Sequence, residues 1–149
     1  MEIRGEEDIN ASRDAVWRTL NDTSLLIDCI PGCEKLERIS PTRIEATILV
    51  KLGVVKLRFH GKLALSDLNP PVSYTISGEG KGAILSGLAT GHTDVRLDEK
   101  DGRTKLYYVM YGTADGKLAK FGSKLLAGVA RKITGRFFAN VAEVARHLA

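Results

Sequence analysis

Residues 78–91 read GEGKGAILSGLATG, with Gly78, Gly80 and Gly82 on alternate positions and Gly87, Ala89 and Gly91 repeating the spacing. Glycine weakens helices and strands alike, so its concentration here needs a reason. Either backbone amides cradle a phosphate, or one face of a sheet has been stripped of side chains. A dinucleotide fingerprint needs G-x-G-x-x-G running into a helix, and a P-loop needs Gly-Lys followed by Ser or Thr. Here the glycines alternate by two and the flanking segments alternate with them. Gly116-Lys117 precedes a helical pattern but lacks the upstream glycine and the hydroxyl residue. The strand reading is therefore preferred.

The neighbouring sequence extends that reading. In RIEATILVKL (43–52), Ile44, Ala46, Ile48, Val50 and Leu52 fall on one face. In residues 55–66, Val55, Leu57, Phe59, Gly61, Leu63 and Leu65 alternate with mostly polar residues, and Gly53 suits the turn between the two. Such period-two alternation predicts an antiparallel sheet with one wet face. Tyr74 and Ile76 open a third strand whose inner face runs into Gly78, Gly80 and Gly82. Val95 and Leu97 close a fourth, with Thr93, Gly91, Ala89 and Gly87 behind them. Leu106, Tyr108 and Met110 lead a fifth towards Gly112 and Ala114. A strand over residues 34–39 and another near the N-terminus bring the total to about seven. Ser12 caps a short helix with Val16, Trp17 and Leu20 inside, and Asp22 or Thr23 caps a second that Pro31-Gly32 ends.

After Lys117 the period changes. Leu118, Gly122, Leu125, Val129, Ile133, Phe137, Val141, Val144 and Leu148 recur every three or four residues, as an amphipathic helix requires. Unbroken, it would run about 48 Å, with Gly128 and Gly135 as places to bend. The expected architecture is α+β: one domain over residues 1–149, a curved antiparallel sheet wrapped around a long C-terminal helix, and two short helices near the start.

Small residues facing the same way on three successive strands have two consequences. They let the helix sit close to a sharply coiled sheet, or they leave a cavity rimmed by Phe59, Tyr74, Tyr108 and Met110 and roofed by the helix. Apolar concavities are the usual small-molecule sites. Both readings stand on the residues alone. The second makes Phe59, Tyr74, Ile76, Gly78, Gly80, Gly87, Ala89, Gly91, Tyr108, Met110, Leu125 and Val129 the candidate ligand contacts.

Chain totals limit the functional classes. With 149 residues, 44% hydrophobic and 27% charged, the chain is a globular domain large enough for a real core. Neither a membrane-length apolar run nor a signal-peptide core is visible, so a cytoplasmic protein is expected. Seven of the 22 Lys and Arg, but one of the 18 acids, lie from Lys117 onward. Lys117, Lys120, Lys124, Arg131 and Arg146 share one helical sector, with Phe121 and Phe138 near it. That sector is either a solvated face or a patch for anionic headgroups or an acidic partner. Tyr107 and Tyr111 make too small a platform for nucleic acid. Cys29 and Cys33 lack companion ligands for a metal and read as small apolar residues, with a local disulfide or a reactive thiol as the alternatives. No triad or carboxylate pair stands out. His60 and His92 lie on outer strand faces and His147 in the last helical turn, so no catalytic residue and no cofactor are expected.

Ile30-Pro31-Gly32-Cys33-Glu34 after Val16-Trp17 and Leu20-Asn21-Asp22 resembles the G-subunit family of carbon monoxide dehydrogenase. Phe59-His60-Gly61, Asp67 with Pro70-Pro71, residues 87–91, Gly116-Lys117-Leu118-Ala119 with Gly122, and Phe137-Phe138 extend the match to nearly the whole chain. The resemblance implies the helix-grip fold of the START-like and birch-pollen-allergen superfamily, which often encloses a hydrophobic ligand. It further implies an accessory role for a molybdenum hydroxylase of the carbon monoxide dehydrogenase type, at the membrane or with a lipid-soluble electron carrier. Many members continue past the helix with an anchoring tail, an arrangement not expected with Ala149 as the last residue. The expectation is a non-enzymatic binder of a lipid- or quinone-like molecule, cytoplasmic or peripheral at the inner face of the membrane. The alternative is a ligand-free module recruiting an enzyme subunit to an anionic membrane through Lys117, Lys120, Phe121, Lys124 and Arg131.

Overall fold

The computed structural model describes residues 1–84 and 86–148. The strands are β1 (Glu2–Ile9), β2 (Cys33–Ser40), β3 (Arg43–Leu52), β4 (Val55–Asn69), β5 (Ser73–Gly82), β6 (Leu88–Lys100) and β7 (Arg103–Ala114). The helices are α1 (Arg13–Asn21), α2 (Thr23–Leu26), α3 (Gly116–Ala119) and α4 (Ser123–Arg146). All seven strands form one sheet in the order β1-β7-β6-β5-β4-β3-β2, every pair antiparallel. Strands β2 to β7 are a simple meander of hairpins, and α1 and α2 carry the chain from one sheet edge to the other.

The caps lie where the sequence puts them. Ala15 N–H donates to Ser12 Oγ at 3.2 Å and Ser24 N–H to Asp22 Oδ1 at 3.0 Å, each satisfying an otherwise orphaned amide. After α2 the Ile30-Pro31-Gly32-Cys33 segment turns into β2. Gly32 takes a positive φ of 72° and lies against the Leu49 carbonyl, closer than a side chain would allow. Leu49 N–H donates to Gly32 O at 2.9 Å, and Asn140 Nδ2 of α4 donates to Cys29 O at 3.0 Å. The motif thus joins strand β3 to the closing helix. Cys29 is fully buried in this junction.

The C-terminal region differs from a single continuous helix. Gly122, at φ 90°, separates the four-residue α3 from α4, whose 24 residues span about 36 Å. Helix α4 passes unbroken through Gly128 and Gly135. Its last turns lie between the sheet and α1, which widens the buried sector there. Phe138 falls inside that sector and is buried: its ring stacks on Tyr108 at 4.1 Å, away from the basic residues.

The core concentrates at the α1/α2 end. Val16, Leu20, Leu97, Leu106, Val141 and Ala145 are almost completely excluded from water there. Trp17 and Tyr74 meet edge to face at 5.1 Å. Gly5 of β1 lies beneath the Tyr108 ring, in the space a side chain would take.

Candidate ligand cavity

The register converts the glycine pattern into rows. Ala46, Gly61, Gly80, Ala89 and Ala114 lie side by side on five adjacent strands. The next row is Ile44, Leu63, Gly78, Gly91 and Gly112, followed by Leu65, Ile76, Thr93 and Met110, and then Tyr74, Val95 and Tyr108. Side-chain size therefore grows from one end of the concave face to the other. Where the rows are large they fill the space under α4, and where they are small they do not.

The unfilled space is a cavity of about 250 Å³ whose wall presents no polar surface. Leu126, Val129, Ala130 and Ile133 of α4 form its roof and Leu118 of α3 its end. Phe59 with Val50 and Leu52 closes one side, Met110 the other, and Gly80, Ala89, Gly91, Gly112 and Ala114 pave its floor. No ionisable side chain lines it among the described residues.

The glycines of these rows and of the corner before β6 do different jobs. A Cβ on Gly80 would meet Phe59 at 3.9 Å, and one on Gly61 would meet backbone at 3.8 Å, ordinary contacts that leave the space usable. On Gly91 it would lie 2.6 Å from the Tyr111 carbonyl, so that glycine serves a close approach of β6 and β7. On Gly78 it would meet Leu63 Cδ2 at 2.9 Å. Gly87 belongs to the corner before β6: at φ 150° it lies against Asp115 O and Leu118. Packing and cavity thus divide the small residues between them.

Of the sequence candidates, Phe59, Gly80, Ala89, Gly91, Met110 and Val129 come together around the cavity. Tyr74, Ile76 and Tyr108 lie in the packed end, and burial pushes the hydroxyls of Tyr74 and Tyr108 above the usual tyrosine range. The Tyr74 hydroxyl is buried without a hydrogen-bond partner. Leu125 is 37% exposed and faces a separate open groove shared by Lys51, Gly53, Phe121, Lys124 and Lys132. Leu126, one residue on, takes the inward position.

The basic candidates are divided by the helix break. Lys117 lies on α3, Lys120 follows it and Phe121 is half-buried at the groove, while Lys124 and Arg131 are exposed on α4. Arg146 is engaged with Glu143 at 2.7 Å, at the far end of the helix. The histidines stay clear of the cavity. His92 stacks on Tyr111 at 4.9 Å, and the nearby Asp94 carboxylate accepts from Thr75 Oγ1 at 2.7 Å. Both thiols are free, and burial pushes the Cys29 pKa up to about 11.

The family profile of the carbon monoxide dehydrogenase G subunit (CoxG) matches residues 5–146, which takes in the Ile30-Pro31-Gly32-Cys33 junction, the glycine rows and the closing helix. The chain belongs to the CoxG family. A conserved protein from Geobacillus kaustophilus has a similar structure, with a TM-score of 0.87 at 28% identity, over 98% of this chain and 96% of that one. The ZhuI aromatase/cyclase from Streptomyces sp. R1128 aligns at a TM-score of 0.67 and 16% identity, covering 100% and 96% of the two chains. Ara h 8.0201 aligns at 0.65 and 15%, covering 97% of each. These two likenesses establish the helix-grip fold shared by this CoxG-family protein, and the fold alone. Among curated proteins no sequence matches.

Proposed function

We propose that this CoxG-family protein is a non-enzymatic carrier of an apolar small molecule, lipid- or quinone-like, held between sheet and helix. The carrying observation is the roughly 250 Å³ cavity with a wholly apolar wall. A volume just below the ~300–1,000 Å³ of drug-sized sites suits one ring or a short stretch of hydrocarbon chain, the remainder of a longer ligand leaving through the open end. Catalysis would need a proton donor, a nucleophile or a cation at the reacting atoms; the hydroxyls among the lining residues, those of Thr90 and Thr113, are hydrogen-bonded to each other at 2.7 Å and present no polar surface to the cavity. The family name supports service to a carbon monoxide dehydrogenase-type molybdenum hydroxylase, with the carried molecule exchanging between that enzyme and the cell's apolar pool.

Native mass spectrometry and organic extraction of protein purified from its own host test the reading. A stoichiometric apolar compound is expected. Protein that is uniformly empty, and whose melting temperature does not rise with any of a panel of isoprenoid quinones and fatty alcohols, overturns it.

A further inference from the structure

Strand β2 is an open edge of the sheet, with β3 on one side and no strand on the other. The opposite edge strand, β1, packs against α4, whereas the helix beside β2 is the four-residue α2. Every other strand has at least one fully buried residue, and β2 has none. Such an edge offers unpaired amides and carbonyls to another chain. The pairing of β2 with β3 is regular over residues 35–38 and shifts on either side, between Cys33 and Lys35 and between Arg38 and Ser40. Those shifts limit how far a further strand can follow it.

The charges on the outer face beside this edge are sorted into two rows. One runs Glu37, Glu45, Lys62, Glu79 across β2 to β5, and its neighbour runs Lys35, Thr47, His60, Lys81. The first has three acids and the second has none, and all of these residues line one open groove. Glu37 and Glu45 are like charges directly opposite each other, an arrangement that costs stability. Neither they nor Lys35 take part in an ion pair among the described residues.

A two-fold axis through the sheet turns this sorting into complementarity. When identical strands pair antiparallel about one residue, positions equally far before and after it face each other. Centred on Leu36, Lys35 faces the partner's Glu37, Glu37 faces the partner's Lys35, and the two leucines meet at the axis. The acidic row of each copy then runs on into the basic row of the other, and the Glu37–Glu45 repulsion gains a cation beside it. Centred on Lys35 or on Glu37, the same strands would set like charges together at the axis.

We propose that β2 is an isologous dimerisation edge, where a second copy of this chain adds antiparallel about Leu36 and joins the two sheets into one. An unrelated strand could make the same backbone bonds, but a second copy carries the matching charge order by symmetry. The proposal goes beyond the carrier reading and does not depend on it, because the cavity lies under α4 on the other face of the sheet.

Sedimentation equilibrium between about 1 and 300 μM tests it. The wild type is expected to show a reversible monomer–dimer equilibrium that weakens as salt rises. K35E and E37K should each weaken the dimer roughly tenfold or more, since symmetry places each reversed charge in the interface twice. K35E/E37K should restore wild-type association. An equimolar mixture of the two single variants should form a mixed dimer, because each supplies the charges the other lacks. In a Cys33→Ser background, Leu36→Cys should cross-link two copies through position 36 on air oxidation, as facing strands hold the two Cα atoms within disulfide reach. A wild type that stays monomeric throughout the range, a dimer indifferent to K35E, or single variants that do not pair with each other overturns the proposal. So does a dimer in which position 36 does not cross-link. Uptake of N-phenylnaphthylamine into the cavity should be equal in the wild type and K35E: a dimer without uptake counts against the carrier, and uptake without a dimer counts against this edge.

Discussion

Replacing Ala130 by leucine should push stability and ligand affinity in opposite directions. Ala130 lies on the cavity side of α4, and leucine adds three carbons that would enter space already empty. At about 0.8 kcal/mol per buried methylene-sized group, the transfer gain is roughly 2 kcal/mol. Fixing the leucine rotamer takes back about 0.5–1 kcal/mol, and the helix-propensity difference is small. A net stabilisation of about 1–2 kcal/mol follows, which for a domain of this length raises the melting temperature by roughly 2–6 °C. An apolar ligand loses the same volume, so its affinity should fall by about 2 kcal/mol, roughly thirtyfold. Ala145→Leu is the control, because Ala145 is fully buried in the packed end and overpacking there costs about 1–3 kcal/mol. Differential scanning calorimetry and probe titration on both variants decide the matter. If Ala130→Leu destabilises as much as Ala145→Leu, the cavity is not there and the carrier argument fails with it.

Gly91→Ala should destabilise by about 1–3 kcal/mol in urea denaturation, since its Cβ would meet the Tyr111 carbonyl, whereas Gly80→Ala should stay within about 1 kcal/mol of wild type. Tyr74→Phe removes a buried, unpartnered hydroxyl and should be neutral or stabilising by up to about 1 kcal/mol; a clear loss would reveal a hydrogen-bond partner for that group. The raised Cys29 pKa means the folded state holds its proton after the unfolded chain has released it. Stability should therefore be complete below the ordinary thiol value of 9.0 and decline as pH rises towards about 11. Cys29→Ala should flatten that part of the pH profile, and a profile identical to wild type would show that the thiol does not contribute.

Period-two alternation made the strands and their inner faces legible, and β3 begins and ends where RIEATILVKL does. Alternation says which face a residue occupies but not how far along the sheet it sits. For that reason Tyr74 and Tyr108 grouped with Gly80 and Met110 in sequence, although the register puts the two tyrosines in one row and Gly80 and Met110 in two others. The helix pattern carried a similar blind spot. A one-residue change of phase is a turn of about 100°, enough to exchange exposed Leu125 for inward Leu126. The signal that resets the phase is the positive φ of Gly122, a backbone property that a glycine permits without announcing. Phe138 was hidden for another reason: its burial depends on α1 covering α4 from the far side, a contact between segments at opposite ends of the chain.

The sheet order has a consequence for how the chain acquires its shape during synthesis. Strands β2 to β7 can zip together one hairpin at a time, each with a partner made moments earlier. Strand β1 cannot, because its neighbour is β7, and the pairs Ile9 with Thr104 and Ile3 with Met110 bring together segments about a hundred residues apart in the chain. Closing such a loop is entropically costly and slow. Ile3 and Ile9 must therefore stay uncovered until β7 has left the ribosome, and through that interval the β1 segment of the nascent chain is exposed to aggregation or chaperone capture.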